Sequence, residues 1–179
     1  MTERFLKAMP EVFLHEGGFN NIKGDNGGAT NWGISLALLK SLNIDINEDH
    51  KVDWLDIKVL SKEEAQEIYF NNFWKPFYDT IKYEKVAIKI FDIGVNAGSK
   101  KSHILLQRAL VKLGSTIVID GMIGKNTLNE ITKYTEDQLL KSIVQVQSTF
   151  YNDIVKANPT QSKFLKGWLN RANWIPTLN

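Results

Sequence analysis

Apolar residues recur at helical spacing along most of this chain, and one stretch, FNNIKGDNGGATNWG at 19–33, breaks the pattern with glycine and asparagine. Such a chain is expected to fold mainly as α-helices, with a small hairpin or loop insertion near residues 19–33. Phe5, Leu6, Met9, Val12 and Phe13 open the helical pattern. Pro10 either restarts or kinks that helix, and Gly17-Gly18 end it, because glycine takes the left-handed conformation readily. Further helices are expected at 34–42, from a Ser61 cap to about 72, at 85–96, at 102–113, from near Thr127, at 135–157 and at 161–171. The stretch 43–53 is polar and reads as a surface loop, and 114–127 reads as a turn-rich connector.

Composition removes several chemistries. The 179 residues include no cysteine, so disulfides, thiol catalysis, thiolate zinc sites and iron–sulfur clusters are excluded. With 22 basic and 20 acidic residues there is no basic footprint for nucleic acid. No apolar run approaches the length of a membrane span. Glu3, Arg4 and Lys7 stand where a signal peptide needs an unbroken apolar stretch. The expectation is a chain made in the cytoplasm and released to the periplasm or cell wall by other means.

Glu16 is the most informative residue. It falls in the last turn of the first expected helix, where a carboxylate meets the negative end of the helix dipole. Stability alone favours Lys or Arg there. The dipole and the apolar neighbours Phe13 and Phe19 disfavour the anion, which suits a general acid. Asp25 follows nine residues later and Thr30 five beyond it, within GDNGGAT. A helix-end acid followed by a hairpin with a second carboxylate can set two carboxyls across a cleft, the pair that glycoside hydrolysis requires. Thr30 can then hold the water by its hydroxyl. Read singly, the same residues suit an exposed helix-end Glu, an Asx turn at Asp25 and a turn hydroxyl at Thr30.

Other motifs fall short. HEGGF at 15–19 lacks the second histidine of a zinc helix, GISLA at 33–37 lacks the last glycine of a nucleophile elbow, and 121–125 lacks P-loop spacing. No metal or organic cofactor is needed.

The string HEGGFNNIKGDNGGATNWGIS at 15–35 resembles the signature of glycoside hydrolase family 108, N-acetylmuramidases of lysozyme-like helical fold. In that family the Glu of E-G-G is the catalytic acid, which the resemblance carries to Glu16. The Glu-Asp-Thr order also resembles that of phage T4-type lysozymes of family 24, with the Asp-to-Thr gap one residue shorter; that likeness implies Asp25 as second carboxylate, Thr30 as water holder, and inversion. The resemblance continues through YFNNFWKPFY at 69–78 and FDIGVNAG at 91–98. Asp92 and Asn96 lie four apart on one helix face, and Asn96 either touches the sugar or caps the helix end. Trp74, Tyr69 and Trp32 are candidates to stack on sugar rings, or core aromatics. From about residue 98 the chain resembles the predicted peptidoglycan domain that follows family 108, through LQRAL at 106–110, VIDGMIGKNTL at 118–128 and GWLNR at 167–171.

The resemblance implies a catalytic lobe, 1–97, and a peptidoglycan-binding-like helical lobe, 98–179. It also implies a muramidase that cleaves the β-1,4 bond between N-acetylmuramic acid and N-acetylglucosamine, with glycan strands as partner and a holin or secretion route for release. The roles open to it are phage lysis, wall remodelling and secretion. A lytic transglycosylase and a non-catalytic wall-binding or secretion-accessory protein are the alternatives.

Overall fold

The computed structural model describes residues 1–18 and 29–178. Asp25 and most of the expected turn segment lie outside the described residues. Among the described residues the chain forms ten α-helices, one 3-10 turn and one two-stranded sheet, the mainly helical architecture that the apolar spacing predicts. They fall into two compact units, Met9–Asn72 (with Met1) and Thr2–Ala8 with Phe73–Asn179.

Helix α1, Glu3–Glu16, runs through Pro10 without a break. Proline there removes the bond to the carbonyl of Leu6. Leu6 is 46% exposed and Pro10 is exposed too, so the bond is lost on the solvent-facing side of the helix.

In the first unit, β1 (Thr30–Asn31) pairs antiparallel with β2 (Ile34–Ser35). Ile34 is therefore strand, although its spacing suggested helix. The helix begins one residue after Ser35, whose hydroxyl accepts from the Leu38 N–H at 3.2 Å and caps α2, Leu36–Leu42. Helix α3, Trp54–Val59, was not expected from the apolar pattern; Asp53 and Asp56 close a capping box at its start. The buried Asp56 carboxylate also accepts from the N–H groups of Ile46, Asn47 and Asp53, which ties the polar loop 43–53 down. Helix α4, Lys62–Asn72, starts at Ser61 as its cap predicts. The buried Asn31 amide donates to the carbonyls of Ile57 and Leu60, both at 3.2 Å, and so binds β1 to the end of α3. Met9, Val12, Ile34, Leu39 and Ile57 form the core beneath, each contributing about 1.5–3 kcal/mol by full burial.

The second unit holds α5 (Phe77–Thr80), α6 (Glu84–Ala97), α7 (Ser99–Lys112), α8 (Lys125–Ile131), α9 (Glu136–Ala157), a 3-10 turn (Pro159–Gln161) and α10 (Ser162–Asn173). Helix α6 is buried without interruption from Val86 to Gly94, and two of its buried residues are charged. Lys89 donates to the carbonyls of Arg171, Ala172 and Trp174 at 2.8–3.0 Å, closing the end of α10. Asp92 accepts two hydrogen bonds from Arg171, at 2.8 and 3.1 Å. A buried charge needs such partners to avoid a desolvation cost of several kcal/mol. Among the described residues no helix is long and apolar enough to cross a membrane.

Candidate active site

Glu16 is the last residue of α1. Gly17 follows with φ +76° and its N–H bonds the Phe13 carbonyl at 3.0 Å, a left-handed helix stop. The Glu16 carboxylate therefore sits at the carbonyl end of the helix, as its sequence position suggests. Glu16 is half-buried, and its Oε1 atom is shielded from solvent.

The β1–β2 turn lies against the Glu16 side chain. Its two central residues, Trp32 and Gly33, both have positive φ, +51° and +78°, the pattern of a type I′ hairpin. A Cβ on Gly33 would lie 2.7 Å from both Cβ and Cγ of Glu16 and would collide with the Tyr69 hydroxyl. Only glycine permits this approach. Trp32 is a bulky residue in a left-handed conformation, which costs on the order of 1–3 kcal/mol. Tyr69, from α4, holds that strained turn: its hydroxyl donates to the Trp32 carbonyl at 3.3 Å. Phe13, one helical turn before Glu16, packs edge-on against Trp32 at 5.4 Å and Tyr69 at 6.2 Å. The Lys62 ammonium lies 5.3 Å from the Phe13 ring and 5.8 Å from the Trp32 ring.

The structure thus brings Glu16, Trp32 and Tyr69 together within the first unit, and Thr30 is carried by the same hairpin, paired with Ser35. Tyr69 is 2% exposed. Its ring packs inside, so its task is to position the turn rather than to stack on a sugar. Trp32 is half-exposed and keeps a stacking role open.

The second unit places the other candidates differently. Trp74 is 5% exposed and sits among Phe5, Tyr78 and Phe91, with ring centroids 4.9–5.4 Å away. Its indole N–H donates to Asp79 at 2.9 Å. These contacts commit Trp74 to the core, and it is not carried into the site. Asn96 is exposed at the end of α6, and its Oδ1 accepts from the Tyr151 hydroxyl at 2.7 Å. The Tyr151 oxygen in turn accepts from Gln147 at 3.2 Å. With Oδ1 so engaged, the amide nitrogen is the donor that the Asn96 side chain has left to offer. Asp92, on the same face, belongs to Arg171 and to the fold.

Gly33, and Tyr69 as a brace for the turn, shape the seat of Glu16, and residue-type reasoning passes over both. The sequence signal is a two-residue loop ending in glycine between Thr30-Asn31 and Ile34-Ser35. A carboxyl held against a backbone turn, beside a half-exposed indole, is equipped to protonate a leaving oxygen on a ring-shaped substrate.

Comparison with known proteins defines the class. Residues 9–98 match the model of Glycosyl hydrolase 108, and residues 101–173 match that of a Predicted Peptidoglycan domain. The solved structure of Brucella abortus SagA is similar at 30% sequence identity and TM-score 0.69, over 94% of this chain and 88% of that one. No curated protein matches the sequence. The fold and these matches make the protein a glycoside hydrolase of the cell wall, with peptidoglycan as its substrate. The chain belongs to the glycosyl hydrolase 108 family.

Proposed function

We propose that the protein is an N-acetylmuramidase, hydrolysing the β-1,4 bond from N-acetylmuramic acid to N-acetylglucosamine, with Glu16 as the general acid. The observation that carries this is the seat of Glu16: a helix-end carboxyl with one shielded oxygen, its side chain lying against a turn that only glycine can form. Glu16 donates its proton to the glycosidic oxygen as the bond to the anomeric carbon breaks. Asp25 serves as the second carboxylate, and Thr30 holds the attacking water. Trp32 contacts a sugar ring, and Asn96 offers its amide N–H to the glycan. The catalytic lobe spans 1–97 and the glycan-associated lobe 98–179. The reaction takes place in the periplasm or wall, after passage through a holin or a secretion route.

Purified peptidoglycan digested by the protein tests this directly. The expected products carry reducing N-acetylmuramic ends, with one water added for each bond cleaved. Anhydro ends with no added water would instead mark a lytic transglycosylase, and wall binding without cleavage would mark an accessory protein.

A further inference from the structure

The turn-rich connector expected between α7 and α8 is not slack. Gln107, on α7, is 1% exposed and uses its whole amide to organise the segment. Its nitrogen donates to Asp120 Oδ1 at 2.8 Å and to the Met122 carbonyl at 3.1 Å, and its oxygen accepts from the Gly121 N–H at 2.7 Å. Gly121 has φ +75° and lies against Lys100 and Ile104. The segment so fixed forms one wall of a surface pocket of about 870 Å³, floored by Gln107 and closed on the other side by α8. A pocket whose loop is already ordered loses little entropy on binding.

The lining has a definite chemistry. Val118 and Met122 are 74% and 71% exposed at its edge, large apolar groups that stability alone does not place in water. Asn126 and Asn129 present exposed amides able both to donate and to accept. Lys125 lines the pocket and enters no ion pair among the described residues. Asp120 lines it as an anion: hydrogen bonds from Gln107 and then from the Met122 N–H hold its carboxyl below the usual range. No aromatic ring is among the lining residues, so there is no face for a sugar to stack on.

We infer that this pocket is a second binding site, separate from the Glu16 site, and that it takes the short peptide borne by the glycan strand rather than the glycan itself. Such a peptide carries a free carboxylate for Lys125, a free amine for Asp120, amide groups for Asn126 and Asn129, and methyl groups for Val118 and Met122. This rests on peptidoglycan as the substrate and names which part of it the second unit holds. The consequence is that strands bearing peptides are retained and stripped strands are not.

Titration of the full chain with the synthetic tripeptide L-alanyl-γ-D-glutamyl-meso-diaminopimelate, and separately with chitotetraose, tests it. The tripeptide is expected to shift the amide resonances of Gly121, Met122 and Lys125, and chitotetraose to leave them unmoved. Lys125→Glu is expected to weaken the tripeptide about tenfold, the scale of one charge-assisted hydrogen bond, while Lys156→Glu leaves it unchanged. No shift with the tripeptide, an equal response to chitotetraose, or an unaltered affinity in Lys125→Glu overturns the proposal. Cleavage of peptide-bearing and peptide-stripped strands keeps the two ideas apart. If neither is cleaved, the muramidase proposal fails while the titration still decides the pocket. If both are cleaved and bound alike, the muramidase proposal stands and the peptide site fails.

Discussion

Two glycine turns of nearly the same backbone angle do different work in this molecule. Gly33 has φ +78° and Gly121 has φ +75°. At Gly33 an added Cβ would sit 2.7 Å from the Glu16 side chain, closer than any packing tolerates. At Gly121 the nearest atoms are 3.2 and 3.3 Å away, on the side chains of Lys100 and Ile104, with the Lys100 carbonyl oxygen at 3.4 Å. The first turn presses on a carboxyl and is braced by one tyrosine hydroxyl. The second is tied down on three sides by a buried glutamine. A chemical site is shaped by a close approach, whereas a preformed loop is held by saturated hydrogen bonds.

That contrast is open to direct attack. Gly33→Ala should have the largest effect on turnover, about a hundredfold loss, because a displaced turn misplaces the acid. Turnover on purified peptidoglycan measures it, and a small loss would mean the approach to Glu16 is incidental. Gln107→Leu should instead appear as lost stability of about 1–3 kcal/mol, since the Gly121 N–H loses its partner and the Met122 carbonyl is left with the Thr127 hydroxyl at 3.4 Å. Chemical denaturation measures that. Tyr69→Phe removes the bond to the Trp32 carbonyl and should cost about 0.5–1.5 kcal/mol, with a fall in turnover smaller than that of Gly33→Ala.

The smallest effect concerns acid. Burial pushes the Asp56 carboxyl up, but the N–H groups of Asp53, Asn47 and Ile46 outweigh it and hold the group below its ordinary 3.8. The stability it contributes is complete above pH 3.8 and is lost as pH falls through the lower folded value. Asp56→Asn should therefore flatten the acid limb of an unfolding curve and leave its neutral part the same shape.

Local signals in the sequence reached far. Ser61 marks the start of α4 and Gly17 the end of α1, because caps and stops act within a few residues. Helix α3 went unread because it is six residues long, and only the Asp53–Asp56 pair announces it. The burial of Lys89 leaves no local trace, because its three carbonyl partners lie 82–85 residues away. Trp74 was ambiguous for the same reason, since only its packing against Phe5 and Phe91 separates core from platform. At the site, Glu16 was legible from its place at a helix end, whereas the need for glycine at 33 depends on how the hairpin folds back.

The central claim is that Glu16 supplies the proton. Mass spectrometry of peptidoglycan digested by wild type and by Glu16→Gln tests it most directly, with the variant's helix content checked against wild type. Reducing N-acetylmuramic products from wild type, reduced about 10²–10⁴-fold in a folded variant, are the predicted result. Undiminished cleavage by Glu16→Gln would contradict it.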